Sequence, residues 1–113
     1  PALVLWSPAK TSKRFDAFTT AENYAIHIMS NEQSDICGGF TKDGGAFEGY
    51  DWHACAKGVP LISHCLSRFE CQREAVHDAG DHAIVVGRVT RVSTQVGTPL
   101  MFYSGQYGGF TGA

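Results

Sequence analysis

The sequence predicts a mainly β fold, a mostly antiparallel sheet or barrel carrying a few short helices. Strand-like segments crowd the second half, at Leu61–Arg73, Asp81–Val92 and Leu100–Ser104. Their short spacing favours hairpin connections over the crossover helices that a parallel α/β sheet requires. The middle segment of the three is rich in Val, Ile and Thr, residues that fit a pleated, half-buried surface.

The elements follow in order. The chain opens on the apolar run Ala2-Leu3-Val4-Leu5-Trp6, read as a buried strand that Pro8 ends. Ser12 is placed to cap a first helix, about Lys13–Glu22, in which Phe15, Phe18 and Ala21 share one face. Tyr24–Met29 alternates Tyr24, Ile26 and Ile28 against Ala25, His27 and Met29, and reads as a strand. Asn31 with Ser34 and Asp35 opens a second helix, which the Gly38-Gly39 pair is expected to stop. Thr41–Pro60 is a long excursion rich in Gly, Asp and Lys with Phe47, Tyr50 and Trp52 interspersed, the kind of loop that compact domains keep for binding. Leu61–Arg73 is read as a strand, bulged where Leu66 and Phe69 leave strict alternation. Asp81–Val92 is a longer one, and Leu100–Ser104 follows a turn at Gly97-Thr98-Pro99.

Composition narrows the function classes. With 113 residues the chain is one small domain. Aromatics at 12% argue against disorder, and nine Lys+Arg against eleven Asp+Glu leave no basic excess for a nucleic-acid backbone. The apolar runs are far shorter than a bilayer span needs, so neither a membrane segment nor a signal peptide is expected. Cys37, Cys55, Cys65 and Cys71 show no paired C-x-x-C spacing and are read as reduced thiols of a cytoplasmic protein. Glycines cluster at Gly38-Gly39, Gly44-Gly45 and from Gly105 onward, where turns and close backbone approaches are expected.

Several nucleotide and hydrolase motifs are absent: no G-x-G-x-x-G after a strand, no P-loop, no G-x-S-x-G elbow. His53-Ala54-Cys55 and His64-Cys65 put zinc-type ligands close together, but in no common finger spacing, so no metal is assigned. Lys10-Thr11-Ser12 combines a cation, two hydroxyls and the free amides of a helix start, which together can hold a phosphate. The plainer reading is a helix cap with a solvated lysine. Asp78-Ala79-Gly80-Asp81-His82 stands at the entrance of the longest strand, with an imidazole able to donate or accept and a glycine that allows close approach. It equally describes an exposed turn. The segment from Phe102 to Phe110, with Tyr103 and Tyr107, is either a stacking surface for a flat ring or a core strand with a glycine-rich tail.

These residues together resemble a known family. GDHAIVVGRVTRV, followed by PLMFYSGQYG, resembles the flavin reductase-like, FMN-binding split-barrel family. PALVLWSPAKTSKRFDAF is similar to its strand and FMN loop, YAIHIMSNEQ to its next strand and helix start, and FEGYDW with GVPLISHCLSRFECQREAVHDAGDH to its central portion. The resemblance implies an FMN-binding split β-barrel that is N-terminally incomplete. Members of the family carry a further segment ahead of the position of Pro1, with the first barrel strands and part of the FMN phosphate site.

The implied activity is that of an NAD(P)H-dependent flavin reductase. It would bind FMN or FAD, take hydride from NADH or NADPH, and supply reduced flavin to a monooxygenase component, working as a homodimer. Carried over by position, Lys10, Thr11 and Ser12 lie along the FMN ribityl phosphate and Phe47 near the flavin. Gly80, Asp81 and His82 correspond to the nicotinamide-nucleotide motif, with Tyr103 and Tyr107 bordering that pocket. His82 would position the nicotinamide. Gln106 stands where members usually carry an arginine, which weakens the inferred contact to a pyridine-nucleotide phosphate. The other expectations weighed are a non-catalytic flavin- or haem-binding relative and a zinc module built on the Cys/His pairs.

Overall fold

A computed structural model describes residues 1–43, 45 and 47–113. Gly44, of the expected glycine pair, and Ala46 lie outside the described residues. The elements run β1 (Leu3–Trp6), α1 (Phe15–Thr20), β2 (Asn23–Ile28), α2 (Ser34–Lys42), β3 (Trp52–Ala54), β4 (Pro60–Ile62), β5 (Ser67–Ala79), β6 (His82–Thr94), β7 (Met101–Tyr103) and β8 (Gln106–Gly108). The mainly β expectation holds. One four-stranded sheet has the order β1-β6-β5-β2, and two hairpins, β3-β4 and β7-β8, form two-stranded sheets.

The chain divides into two compact units, Pro1–Ile26 with Phe69–Val92, and His27–Arg68 with Ser93–Ala113. In the first unit β1 pairs antiparallel with β6, Leu5 facing Val86 and Trp6 facing Val85. Its buried residues include Ala83, Val85 and Cys71. Trp6 meets Phe18 of α1 edge to face at 4.9 Å and Tyr24 of β2 at 6.2 Å. Tyr24 lies across Gly87 of β6, where a side chain would collide with its ring and meet Cys71. A glycine in the middle of a strand is there because another side chain occupies its space. Arg73 holds the end of α1: its Nη1 donates to the Thr19 and Ala21 carbonyls at 3.1 and 3.2 Å, and its backbone amide to Glu22. A cation on the orphan carbonyls of a helix C-terminus complements their partial charge.

In the second unit Leu61, Ile62 and Cys65 are buried around Gln33. Gln33 is buried because both ends of its amide are used, Oε1 accepting from the Ser30 amide at 3.0 Å and Nε2 donating to the Ser63 carbonyl at 2.9 Å. Phe40 of α2 packs on Phe47 at 4.8 Å, and Phe47 on Trp52 at 5.1 Å.

Several boundaries differ from expectation, each for a physical reason. The opening run is not a buried strand: β1 is an edge strand, with Leu3 and Leu5 exposed and Val4 and Trp6 turned in. The first helix spans only Phe15–Thr20, and its N-cap is Arg14, without a side-chain cap. Ser12 serves one step earlier, its Oγ accepting from the Arg14 amide at 3.2 Å. The second helix runs through Gly38 and Gly39 to Lys42. Gly39 is an approach site within it, lying under the Tyr50 hydroxyl. The long excursion contains β3, paired with β4 through a turn at Gly58 (φ +79°). Leu61–Arg73 is two strands, broken where His64 adopts φ +68°. The C-terminal aromatic segment is not a core strand: β7 and β8 form an exposed hairpin turned by Ser104 (φ +52°) and Gly105 (φ +81°). That run of two left-handed residues is the backbone a two-residue hairpin of matching twist demands.

Candidate functional site

β5 and β6 are joined by Gly80 and Asp81, Gly80 at φ +68°. Gly80 therefore serves the hairpin turn, where left-handed backbone is needed. The turn docks on the segment after β1. Ala9 forms an isolated bridge with His82, the Lys10 amide donates to the Asp81 carbonyl at 2.9 Å, and the Ala83 amide to the Pro8 carbonyl at 3.0 Å. Two sequence motifs some seventy positions apart thus form one backbone-knit patch, with Lys10, Asp81 and His82 as its ionisable members.

Side chains complete the patch. The Lys10 ammonium is ion-paired with the Asp78 carboxylate on the last turn-ward residues of β5. Asp81 Oδ1 accepts from His82 Nδ1 at 2.8 Å. That hydrogen bond, with the His82 charge and then Lys10, holds the Asp81 carboxyl below its ordinary range. With Nδ1 committed to Asp81, Nε2 is the imidazole atom left to meet a ligand. Thr11 is exposed and Ser12 half-buried beside them. An ammonium, an exposed hydroxyl and an imidazole on a fixed backbone suit an anionic, hydrogen-bonding ligand, as a phosphate-bearing cofactor requires.

The other predicted site residues belong to the second unit. Phe47 is held between Phe40 and Trp52, with Tyr50 5.9 Å from Phe40. Tyr103 and Tyr107 lie on the β7-β8 hairpin, but the register sets Phe102 opposite Tyr107 and Tyr103 opposite Gln106. Residues directly opposite share a face and neighbours alternate, so Tyr107 shares its face with Phe102 and Tyr103 takes the other. The Phe102 and Tyr107 rings lie 5.1 Å apart, whereas Tyr103 is 81% exposed.

Three features escaped the sequence reading. His27 accepts the Ile62 amide on Nε2 at 3.0 Å, and burial, reinforced by Arg68, lowers its pKa to about 4. A polar cavity of about 720 Å³ in the second unit is bordered by Asn31, Asp51, His64, Gln95 and Thr98 and by none of the predicted site residues. His64 there pairs with Asp51 at 2.9 Å from its left-handed backbone. The third is Asp78 as the partner of Lys10. Only long-range pairing creates these arrangements, so no local pattern marks them. The cysteines are unpaired, and burial raises the thiols of Cys37, Cys65 and Cys71. Among the described residues no group of three or more His, Cys, Asp or Glu could hold a metal ion, and no helix is long and apolar enough to cross a membrane.

Comparison with known proteins gives the patch a context. The family described as flavin reductase like domain matches residues 1–111. The FMN reductase (NADH) SmoA of Agrobacterium fabrum is 50% identical over 111 residues, covering 98% of this chain and 64% of the relative. The reductase subunit HsaB of a flavin-dependent monooxygenase from Rhodococcus jostii is 37% identical, covering 96% of this chain and 57% of its own length. The crystal structure of a nitrilotriacetate monooxygenase component B homologue from Mycobacterium thermoresistibile superposes with TM-score 0.89 at 32% identity, over 98% of this chain and 64% of that one. The chain thus spans less than two thirds of the length of these relatives.

Proposed function

The chain belongs to the flavin reductase-like family, and on that premise we propose that it is the flavin- and nicotinamide-binding part of an NADH-dependent FMN reductase. The observation that carries the reading is the joining of the Lys10 loop to the Asp81–His82 turn through the Lys10 amide, 2.9 Å from the Asp81 carbonyl. On this reading the loop that binds the phosphate and the imidazole that orients the nicotinamide share one backbone-paired support. The 50% identity with an NADH-dependent FMN reductase supports the same reading.

The fit of the cofactor rests on the donor set. Lys10 supplies charge and Thr11 and Ser12 supply hydroxyls for the ribityl phosphate. Gly80, Asp81 and His82 serve the nicotinamide nucleotide. When bound, the flavin supplies the two-electron acceptor for the nicotinamide hydride. The protein's own part is orientation: Asp81 fixes the His82 ring through Nδ1, and Nε2 is free to hydrogen-bond the nicotinamide carboxamide, limiting its rotation. His82 positions, and the hydride transfer itself calls for no protein base.

The same reading makes the protein cytoplasmic and homodimeric, accepting FMN in preference to FAD, and delivering reduced flavin to a monooxygenase. The test is direct. Full-length protein mixed with FMN and NADH consumes the nicotinamide absorbance band well above the free-flavin rate; consumption at the free-flavin rate overturns the proposal. A yellow protein whose flavin NADH fails to bleach marks the non-catalytic relative instead.

A further inference from the structure

Lys10 and Asp78 are both solvent-accessible, with side-chain exposures of 40% and 80%, and their charged ends are in contact. The Lys10 backbone is fixed by its bond to Asp81 and by the Ala9–His82 bridge. Asp78 stands two residues before the Gly80 turn, at the exposed end of β5. A second carboxylate, Asp81, feels the Lys10 charge. Lys10 is therefore already partnered by an acid before any anion arrives.

We propose that Asp78 is a built-in competitor for Lys10, a counter-charge that the flavin phosphate displaces, so that the site exchanges flavin as a substrate instead of retaining it. This rests on the reading of Lys10 as a phosphate ligand. The balance of forces fits. An exposed ion pair is worth no more than about fivefold in an equilibrium, so Asp78 yields to a phosphate dianion. It also subtracts its own share from the binding energy and, staying nearby, repels the bound phosphate. A reductase that hands reduced flavin to another protein gains from such weakened retention.

The experiment is flavin fluorescence titration and stopped-flow release on the full-length protein. It uses FMN and riboflavin, which differ only by the phosphate, with Asp78→Asn, Asp78→Ser, Lys10→Met and the Lys10→Met/Asp78→Asn double variant. Both Asp78 substitutions should tighten FMN by about two- to fivefold, chiefly through slower release, and leave riboflavin unchanged. In the Lys10→Met background the gain should shrink to the part that comes from repulsion between the carboxylate and the phosphate. If Asp78→Asn leaves FMN binding unchanged or weakens it while Lys10→Met weakens FMN against riboflavin, Asp78 is a clip for the loop and the proposal fails alone. If Lys10→Met does not separate FMN from riboflavin, the phosphate reading falls with it.

Discussion

His27 on β2 accepts a hydrogen bond from the backbone amide of Ile62 on β4, Nε2 to N at 3.0 Å. Nε2 must therefore be unprotonated, and the ring proton sits on Nδ1. Burial, with Arg68 adding to it, lowers the pKa from the ordinary 6.5 to about 4. The unfolded chain binds a proton at His27 below about pH 6.5 while the folded chain resists until about pH 4. This contribution is whole above pH 6.5 and is lost as pH falls from there toward 4, on the order of 3 kcal/mol across that window. Thermal melts from pH 7.5 to 4 should show a steep acid-side loss. His27→Leu should lower stability at pH 7 by about 1–3 kcal/mol, through the stranded amide, and flatten the acid limb.

His82→Ala should weaken NADH use more than FMN binding. Loss of orientation at the nicotinamide should lower kcat/KM for NADH on the order of tenfold to a hundredfold, with the FMN dissociation constant nearly unchanged. Equal loss of both would assign His82 to the flavin half of the site. Asp81→Asn should reproduce part of the NADH defect, since the amide can still meet Nδ1 but no longer selects its protonated form. Steady-state kinetics with NADH varied at saturating FMN reads both.

Gly38 and Gly39 are adjacent in α2 and should respond oppositely. A methyl at Gly38 meets nothing within 4 Å, so Gly38→Ala should gain about 0.5–1 kcal/mol from helix propensity and a less flexible unfolded chain. At Gly39 the same methyl strikes the Tyr50 hydroxyl, which donates to the Asp35 carbonyl at 3.4 Å. Gly39→Ala should forfeit that gain, and Tyr50→Phe in the same chain should restore it. Chemical denaturation of the three variants measures the difference.

Gly87→Ala in β6 should cost about 1–3 kcal/mol, because Tyr24 and Cys71 leave no room for a side chain. Tyr24→Ala alone should also destabilise, by opening a void against Trp6. Joined to Gly87→Ala, it should cost less than the sum of the two, since the methyl then enters vacated space. Melting temperatures of the two single variants and the double one decide this.

Local pattern carried the β-rich class and the places of β2, β6 and β7 in the chain, because period-two alternation and β-branched runs are local signals. It misplaced the breaks. The Gly38-Gly39 pair reads as a helix stop, yet Tyr50, eleven residues on from Gly39, decides that a glycine is wanted inside the helix. His64 breaks Leu61–Arg73 into two strands at φ +68°, a conformation uncommon for any non-glycine residue and not signalled by the local sequence. Its neighbours enforce that backbone, with Gln33 holding the Ser63 carbonyl and Gln95 donating to the His64 carbonyl at 3.0 Å.

The candidate site divides the same way. Residue type alone marked Lys10, Asp81 and His82 as able to bind an anion and orient a ring, since an ammonium, a carboxylate and an imidazole carry that chemistry wherever they lie. Their meeting was settled by the pairing of β1 with β6, which carries the segment after Trp6 along the start of β6 and lets the Lys10 amide reach Asp81. Tertiary structure alone also partnered Lys10 with Asp78 and set Tyr103 and Tyr107 on opposite faces of their hairpin. Chemical capacity is a property of the side chain and is legible in the chain. Partnership is a property of register, which the hydrogen bonds of distant strands fix only when the sheet has formed.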